Sequence, residues 1–452
     1  MSFPRYPEYK DSGVEWLGKV PSHWQVLPLK RDIAFLTSGS RGWAEHYSDE
    51  GALFLRIGNL TRDGIGLDLS DIQRVDVPEG TEGARTQVQQ GDVLFSITAY
   101  LGSVAVVPAG LETAYVSQHV ALARLRKDLF LPEWVAYVVS SWIGKTYLET
   151  QGYGGTKVQL SLEDVANTLV TAPPPPEQLA IATFIRYETT KLDNFMAEQE
   201  KLVALLKEKR QAVIAHAVTK GLDPVVPMKD SRVEWIGEIP NHWKVARIKD
   251  VARLESGHTP SKTVPEYWEN CDIPWVSLND SKQLAVTDYI TKTVHQINEL
   301  GLQNSSARML PADSVVFTRD ATIGLAAITT RPMAVSQHLV AWCPTGLMDS
   351  VYLLRVFNAM KEHLDSFTFG ATIKTIGMAD IKRLATPVPP ISEQVEIAAF
   401  IARESAQFDA LINDAQHAID LLKERRTALI SAAVTGQIDV RGLVKDEQEQ
   451  AA

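Results

Sequence analysis

Cysteine, long apolar runs and excess positive charge are all scarce in this sequence of 452 residues. The two cysteines, Cys271 and Cys343, fit neither a metal-binding spacing nor a disulfide framework, which predicts a reducing compartment. There is no run of about 18 apolar residues, and Met1–Lys10 lacks the features of a signal peptide, so we expect a soluble, cytoplasmic protein without a membrane span. The net charge of -10 argues against a nucleic-acid binder, whose charge balance is usually basic.

Motifs for catalysis are also lacking. An adenine methyltransferase needs an Asn/Asp-Pro-Pro-aromatic motif and a glycine-rich cofactor loop, whereas the proline run Pro173–Pro176 lies at the start of an apolar helical pattern. Gly144-Lys145-Thr146 resembles the end of a phosphate-binding loop, but the glycine that begins such a loop is missing. His119 and His338 have no second ligand at metal spacing, which favours a structural or hydrogen-bonding role. The sequence therefore predicts a binding protein with no catalytic residue, cofactor or metal of its own.

The chain contains an internal repeat. The segment KDSGVEWLGKVPSHW at 10–24 returns as KDSRVEWIGEIPNHW at 229–243, a shift of 219 positions, and VSQH occurs at both 116–119 and 335–338. The segments 37–115 and 256–334 between these fixed points share little, apart from Ser-Gly near the start and a strand-like run that aligns Asp92 with Asp313. A constant frame around divergent inserts predicts two units that do the same job on different targets.

Each half reads as a strand-rich globule followed by a long helix, which predicts an α+β fold. Short β-rich runs are bounded by Gly, Pro, Asn and Asp turns, and the prolines at 173–176 and 387–390 each precede an apolar periodic stretch without Pro or Gly. The predicted globules are 1–175 and 221–390, the predicted helices are 176–220 and 391–440, and 441–452 is predicted to be a flexible tail. The duplication predicts a pseudo-two-fold arrangement of these parts.

The apolar residues of both helices fit a heptad pattern. The predicted seam includes Ile181, Ile185, Leu192, Phe195, Leu202 and Leu206 in the first helix and Ile397, Ile401, Phe408, Leu411, Ala418 and Leu422 in the second. Glu188 and Lys209 interrupt the first seam, and Glu404 and Arg425 interrupt the second. Antiparallel helices would place Glu188 near Arg425 and Lys209 near Glu404, whereas parallel helices would bring like charges together. We therefore expect two long antiparallel coiled-coil helices joining the globules.

The order of these parts, together with SGHTPSKTVPEYWENCDIPWVSLND from Ser256, GGTKVQLS and GATIKTIG, resembles the DNA-specificity subunit of type I restriction-modification systems. The resemblance covers nearly the whole chain, although TSGSRGWAEHYSDEGALFLRIGNL replaces the SGHTPS to PWVSLND pattern in the first half. It implies that each globule is a target recognition domain for one half of a split double-stranded DNA sequence. It also implies that the helices set the spacing and bind two methyltransferase subunits, which motor-nuclease restriction subunits join in a bacterial or archaeal cytoplasm. The partner subunits, not this chain, would use S-adenosylmethionine, ATP and Mg²⁺.

Candidate DNA contacts are polar residues beside turns in the divergent inserts, because Arg and Lys read guanine and Asn and Gln read adenine in the major groove. They are Arg41, Arg56, Asn59 and Tyr100 in the first globule and His258, Lys262, Asn279, Lys282 and Arg319 in the second. Lys157 and Lys374, near the repeated Gly-x-Thr segments, are predicted to contact phosphates. Two alternatives stay open: an orphan adaptor that bridges proteins without reading DNA, and an enzyme with an unrecognised site.

Overall fold

The computed structural model describes residues 3–39, 41–77, 81–152, 159–369 and 374–443. The chain forms two compact units, the first comprising Met1–Gln199 with His417–Ala452 and the second comprising Glu200–Gln416. Each unit therefore contains one globule and parts of both long helices. No helix in the described ranges combines the length and the apolar character that crossing a bilayer requires.

The first unit is built around a four-stranded antiparallel sheet of order β4-β11-β8-β9. A second four-stranded sheet, β10-β6-β7-β5, contains one parallel pair, and two two-stranded sheets, β1-β2 and β12-β3, complete the globule. The strands are β1 Tyr9–Asp11, β2 Lys19–Pro21, β3 Gln25–Pro28, β4 Ile33–Ser38, β5 Tyr47–Ser48, β6 Ala52–Leu55, β7 Arg74–Val75, β8 Val93–Ser96, β9 Val104–Val106, β10 Ala114–Val116, β11 Val120–Leu125 and β12 Leu169–Ala172. The helices are α1 Thr81–Thr86, α2 Pro132–Ser140, α3 Trp142–Gln151, α4 Leu162–Asn167 and the long α5 Pro175–Lys220.

The second unit repeats this plan with a central sheet of order β16-β23-β20-β21-β18 and a smaller sheet, β19-β17-β22. The pairs β13-β14, β15-β26 and β24-β25 complete it. The strands are β13 Met228–Asp230, β14 Glu238–Pro240, β15 Lys244–Arg247, β16 Ala252–Ser256, β17 Ile273–Val276, β18 Tyr289–Ile290, β19 His295–Ile297, β20 Val315–Thr318, β21 Ala326–Thr329, β22 Ala334–Val335, β23 Leu339–Pro344, β24 Thr368–Phe369, β25 Thr375–Ile376 and β26 Ala385–Val388. The helices are α6 Ile248–Val251, α7 Ser281–Leu284, α8 Glu299–Gln303, α9 Ser350–Ala359, α10 Lys361–Asp365, α11 Met378–Ile381 and the long α12 Ile391–Val434. The predicted α+β architecture of two mixed globules joined by long helices is confirmed.

The divergent inserts align one residue differently from the sequence-based prediction. The backbone N–H of Ile97 donates to the carbonyl of the first repeated histidine, and the N–H of Arg319 donates to the carbonyl of the second, both at 3.1 Å. Ile97 therefore corresponds to Arg319, and the next residues, Thr98 and Asp320, correspond as well. The predicted alignment matched Asp92 with Asp313 and was out of register by one residue, because Asp92 directly precedes its apolar run whereas Ser314 separates Asp313 from the run that starts at Val315.

A Glu-Gln pair in the first turn ties each long helix to its own globule. The side chain of Gln178 is fully buried and forms three hydrogen bonds of 2.7–2.9 Å with backbone groups. Gln394 forms the equivalent three in the second unit. The preceding glutamates accept hydrogen bonds from the buried indoles of Trp24 and Trp243, at 3.2 and 2.8 Å. Because leaving such buried groups unpaired is costly, these contacts fix where each helix leaves its globule.

The two long helices are antiparallel within each unit, as predicted. In the first unit Thr171, just before α5, donates to the carbonyl of Val434 at the end of α12, while Asp193 further along α5 pairs with Arg426 at 2.9 Å. In the second unit Arg210 of α5 pairs with Asp409 of α12 at 3.0 Å.

The charged residues predicted to pair the helices are not the ones that do so. Those residues are Glu188, Lys209, Glu404 and Arg425. Glu188 instead pairs with Lys191 on its own helix at 2.9 Å, and Glu404 pairs with its neighbour Arg403 at 3.3 Å. Lys209 and Arg425 are exposed. The adjacent arginines, Arg210 and Arg426, pair with the other helix instead, so the predicted seam follows the packed face at Ile181, Ile185 and Ile397 but departs from it at these charged positions.

The predicted seam departs from the packed face because the buried apolar side chains do not follow a seven-residue repeat. Buried or half-buried apolar side chains recur every eleven residues, at Ile181, Leu192, Val203 and Ile214 in α5 and at Ile397, Phe408, Ile419 and Ile430 in α12. An eleven-residue repeat corresponds to about 3.67 residues per turn, close to that of an unstrained helix, whereas a heptad drifts by roughly 20° per repeat. A heptad extrapolated along these helices therefore leaves the packed face, and the predicted seam residues Phe195, Leu202 and Leu411 are exposed.

Helix α12 ends at Val434, short of the predicted boundary at 440. Gly436 has a φ of 74°, its N–H donates to the carbonyl of Ala433, and the N–H of Gln437 donates to that of Ala432. This is the geometry of a Schellman cap, which glycine adopts without steric cost. Glycine at this position therefore stops the helix and turns the chain back onto the first unit.

Candidate nucleic-acid interface

Both units present the repeated Ser-Gln-His sequence as a loop that leads into a central strand. The N–H of Ser117 donates to the carbonyl of Leu55 at 2.9 Å, and the N–H of Ser336 donates to that of Val276 at 2.8 Å. The glutamines that follow these serines are exposed in both units. The Ser117 and Ser336 hydroxyls are buried and have no hydrogen-bond partner among the described residues. The loops therefore have a fixed backbone and polar side chains at their tips.

A glycine supports each loop from below. Gly39 and Gly257 belong to the repeated Ser-Gly pair at the end of the first strand of each central sheet. A Cβ on Gly39 would overlap the carbonyl oxygens of Val116 and Ser117, and a Cβ on Gly257 would overlap the same two carbonyls of its own loop. Close backbone approach thus requires glycine at both positions.

In the second unit the loop borders an open cavity of about 670 Å³. Its lining residues are Thr259, Lys262, Pro265, Trp268, Glu269, Trp275, Ser277, Leu278, Asn279, His295, Ser336, Gln337 and His338. The rings of Trp268 and Trp275 meet edge to face with centroids 5.5 Å apart, and their indole N–H groups donate to the backbone carbonyls of Ser261 and His258. The aromatic wall is therefore held in place, while amide, imidazole and ammonium groups surround it.

A buried carboxylate orients the histidine of this loop. Asp320 lies next to His338, with 2.8 Å between Oδ2 and Nδ1, and its other oxygen has no partner among the described residues. Arg319 donates to the backbone carbonyls of Gln337 and Ile376, each at 3.2 Å. Arg319 was predicted to contact DNA, but the structure uses it to brace the loop, because two carbonyls at the strand end need donors.

The first unit has a different arrangement around its loop. Gln118 Nε2 lies 3.1 Å from His119 Nε2, much as Gln337 lies 3.5 Å from His338, but Thr98 occupies the place of the buried carboxylate. Beside this loop Tyr100 is 55% exposed with a φ of 40°, and the guanidinium of Arg62 stacks over its ring at 3.5 Å. Residues held in this backbone region cluster at functional sites. The first unit thus exposes an Arg-Tyr stack beside its loop, whereas the loop of the second unit borders a cavity.

Asn59 was predicted to read a base, but it is buried and structural. Its side-chain oxygen accepts from the N–H of Arg56, and its amide donates to the carbonyls of Asp68 and Asp71, each at 2.9 Å. With these groups satisfied inside the loop, Asn59 is not available to DNA. Arg56 pairs with Asp71 at 2.9 Å and keeps part of its side chain exposed.

The other predicted contacts fall into three groups. Lys262 and Asn279 line the cavity of the second unit. Arg41, His258, Lys282 and Lys374 are exposed. Lys157 lies outside the described residues. The cavity of the second unit thus brings two of the predicted residues, Lys262 and Asn279, together.

Sequence reasoning missed Gln118, Gln337, Asp320 and Trp275. The two glutamines carry a clear signal, since they recur in the repeated VSQH and glutamine is a residue type that can read adenine. Asp320 gives no local signal, because the fold rather than sequence spacing brings it to His338. No cluster of three or more His, Cys, Asp or Glu side chains suited to a metal ion occurs in the described part of the chain.

Comparison with known proteins identifies related sequences and folds. Residues 240–419 match the family described as type I restriction modification DNA specificity domain. The chain is 30% identical over 191 residues to the type I restriction enzyme MjaIX specificity subunit of Methanocaldococcus jannaschii, a match that spans 42% of this chain and 43% of that protein. The putative type I restriction enzyme MjaX specificity subunit of the same organism is 20% identical over 94% of this chain and 96% of its own length.

A solved structure has the same fold. It belongs to a study of complex assembly and conformational transition of the type I R-M system and superposes with a TM-score of 0.71 at 18% identity. The superposition covers 93% of this chain and 99% of that one. At this identity the likeness establishes the arrangement of the polypeptide and leaves the chemistry to the individual residues.

Proposed function

Because the chain belongs to the family of type I restriction-modification DNA-specificity subunits, we propose that its two globules read the two halves of a bipartite DNA target through the major groove. The chain is a recognition subunit and not a catalytic one. In the proposal the long helices set the gap between the half-sites and dock two methyltransferase subunits, through which motor-nuclease subunits join. S-adenosylmethionine, ATP and Mg²⁺ are used by those partners.

The observation that carries the proposal is the duplicated Ser-Gln-His loop, supported identically in two units whose surroundings differ. A glutamine side chain can form two hydrogen bonds with the N6 and N7 edge of adenine. Gln118 and Gln337 are identical and exposed, which suits an adenine present in both half-sites. The cavity beside Gln337 and the stack of Arg62 on Tyr100 suit different neighbouring bases.

Apolar side chains left exposed on the long helices support partner docking. They are Phe195, Leu202 and Leu205 on α5 and Leu411 and Leu421 on α12. Apolar patches left exposed on a folded protein often mark interaction sites. Because these residues do not pack the helices together, they are free to bind the methyltransferase subunits.

The charge balance supports a shared DNA interface. Residues 1–175 contain 15 Lys and Arg against 20 Asp and Glu, and residues 221–390 contain 17 against 18. Phosphate contacts supply the salt-dependent part of DNA affinity, so a neutral or acidic reader needs cationic partners. We expect the isolated chain to bind DNA weakly and the methyltransferase subunits to supply many of the phosphate contacts. Nanomolar binding by the isolated chain at physiological salt would contradict this part of the proposal.

The test is co-expression with the methyltransferase subunit of the same genome, followed by sequencing of methylated sites. A split methylated motif should appear with the chain and vanish without it. Gln118→Ala should relax one half of the motif and Gln337→Ala the other, each by about 1–3 kcal/mol of base discrimination. Exchange of residues 37–115 for the corresponding segment of a relative should change the first half alone. An unchanged methylome on deletion would overturn the proposal in favour of the adaptor.

A further inference from the structure

The cavity beside Gln337 in the second unit has a fixed aromatic wall. The indole N–H of Trp268 donates to the carbonyl of Ser261 and that of Trp275 donates to the carbonyl of His258, both at 3.1 Å. Trp275 is buried, whereas Trp268 keeps part of its surface exposed. Because each indole is anchored through its polar edge, the apolar surface that lines the cavity is held in place.

Polar side chains that are free to bind a ligand surround this wall. Those of Lys262, Glu269, Asn279 and His295 line the cavity, are exposed, and form no hydrogen bond or ion pair with any residue that the structure describes. They offer an ammonium, a carboxylate, an amide and an imidazole, and Gln337 adds a second amide where the loop meets the cavity. Such a mixture of donors and acceptors beside an aromatic surface matches the edge and the face of a nucleobase.

The equivalent strands of the first unit pack their aromatic side chains into a closed cluster. By the register of the two parallel strand pairs, Phe54 corresponds to Trp275 and Tyr115 corresponds to Ala334. The ring of Trp43 lies 5.8 Å from that of Phe54 and 5.5 Å from that of Tyr115, and all three side chains are buried. The second unit has alanine in place of the tyrosine that completes this cluster. The aromatic side chains of the first reader are thus covered, whereas those of the second partly face a cavity.

An intact duplex has little apolar surface that such a wall could contact. Stacking covers the faces of the bases, and in the major groove only their edges are accessible, where the thymine methyl is the apolar group. The cavity, of about 670 Å³, is far larger than one methyl group. It falls within the roughly 300–1,000 Å³ of sites that hold whole small molecules. Its size and its aromatic surface therefore suit a complete base that has left the stack.

We propose that the cavity of the second unit binds one base of the second half-site after that base has unstacked from the duplex. This inference rests on the proposed DNA-reading function and adds to it a step that the closed cluster of the first unit does not provide. The base stacks on Trp268, and its edge contacts Asn279 and Glu269, the carboxylate favouring a base with an exocyclic amino group over thymine. Stacking and hydrogen bonds to the base edge offset the free energy lost on unpairing.

The test measures binding of the assembled methyltransferase to duplexes in which the second half-site is scanned with mismatches, one position at a time. A mismatch opposite the unstacked base removes part of the cost of unpairing, so we expect about fivefold tighter binding at that position. Trp268→Ala should reduce this gain to less than about twofold, whereas Trp268→Phe, which also lacks the indole N–H but can still stack, should keep most of it. Tyr289→Ala, a matched loss of an exposed ring in the same unit, should leave the gain unchanged.

The adenine that is methylated must be distinguished from this base, because methyltransferases extrude the base that they modify. Its mismatch effect should occur in both half-sites and should not depend on Trp268. A photoactive base at the position that does depend on Trp268 should crosslink to residues 262–279 of this chain. The same group at the methylated adenine should crosslink to the methyltransferase subunit.

A scan in which no mismatch effect depends on Trp268 would overturn the proposal. In that case, weaker binding when one thymine is replaced by uracil would assign the wall to a methyl group in the groove, and saturable binding of deoxynucleoside monophosphates by the isolated chain would assign the cavity to a free nucleotide. Sequence-specific recognition of the second half-site that is still lost with Gln337→Ala would leave the proposed function standing. Recognition of neither half-site by the unaltered complex would overturn both.

Discussion

The two Ser-Gln-His loops share their backbone support and differ in what stands beside the histidine. In the second unit Asp320 orients His338 and Arg319 braces the loop, whereas Thr98 and Ile97 take those places in the first. The glycine beneath each loop is the same. The glycine and the backbone hydrogen bonds beneath the loop are therefore the same in both units, although the side chains beside the histidine differ. Substitutions can therefore disrupt the support beneath the loop or alter the side chains around its tip separately.

The largest effect is expected from the shared glycines. Gly39→Ala and Gly257→Ala each force a Cβ into backbone carbonyls that cannot move without shifting the sheet, so we expect each to cost about 3 kcal/mol of local stability. Hydrogen exchange should rise in the loop of the substituted unit only. Gly58→Ala and Gly346→Ala are matched controls, since a Cβ there meets no atom within 4 Å. Normal protection in Gly257→Ala would show that the loop is not supported from below.

A reciprocal exchange at the carboxylate position should have a smaller effect. Asp320→Thr gives the second unit the side chain of the first and frees the ring of His338. We expect about tenfold weaker recognition of the second half-site, roughly 1.4 kcal/mol, and no change at the first. Thr98→Asp places a carboxylate near His119 and should alter the first half-site alone. The readout is binding of the assembled methyltransferase to DNA with one half-site altered at a time, with the exposed Asp272→Asn as control. An equal effect on both half-sites would contradict separate readers.

The smallest expected effect is a pH dependence of local stability at an aromatic pair in the repeated part of the chain. Trp16 packs on Tyr147 in the first unit, and Trp235 stacks on His363 in the second, with centroids 6.0 and 6.3 Å apart. Burial lowers the pKa of His363, partly opposed by Glu234. The neutral imidazole is therefore favoured in the folded state, and its contribution to stability is lost as pH falls below about 6.5 and through the lowered pKa.

This effect should be confined to the second unit. Burial raises the pKa of Tyr147, so the phenol stays neutral throughout the acidic range. We expect faster amide exchange around Trp235 between pH 7 and pH 5, relative to the intrinsic rate at each pH, and no such change around Trp16. His363→Tyr, which copies the first unit, should remove the difference. A pH response that persists in this variant would assign it to another group.

The sequence predicted the duplicated frame well because its contacts are local and repeated. The Glu-Gln pairs after the prolines, the paired tryptophans and the Ser-Gly and Ser-Gln-His segments all recur with nearly constant spacing, and each proves to be a point of support. The antiparallel helices followed from the need to cover an apolar face. The sequence did not predict which face of each helix packs. Phe195 and Leu202 are as apolar as Met196 and Val203, and only helix geometry decides which of them is buried.

The reading surface was harder to predict because it depends on contacts between distant residues. Asn59 looks like a base reader in the sequence, yet three backbone groups of its own loop bind its side chain. Arg319 looks free and is tied to two carbonyls. Asp320 meets His338 only through the pairing of β20 with β23. Where no repeat marks a residue, residue type alone does not distinguish a loop support from a DNA contact.

The division of the chain into two units also determines which unit is completed first during synthesis. The second unit is one continuous stretch, Glu200–Gln416, whereas the first needs both Met1–Gln199 and His417–Ala452. At about 5–20 residues per second the ribosome takes roughly 10–40 s to make the intervening stretch. Throughout that time the N-terminal part of the first unit lacks Ile430, Val434 and Val440, which complete its core. The unit that begins first is thus the last to be completed, and a nascent chain interrupted before its end leaves an unfinished core at its N-terminus.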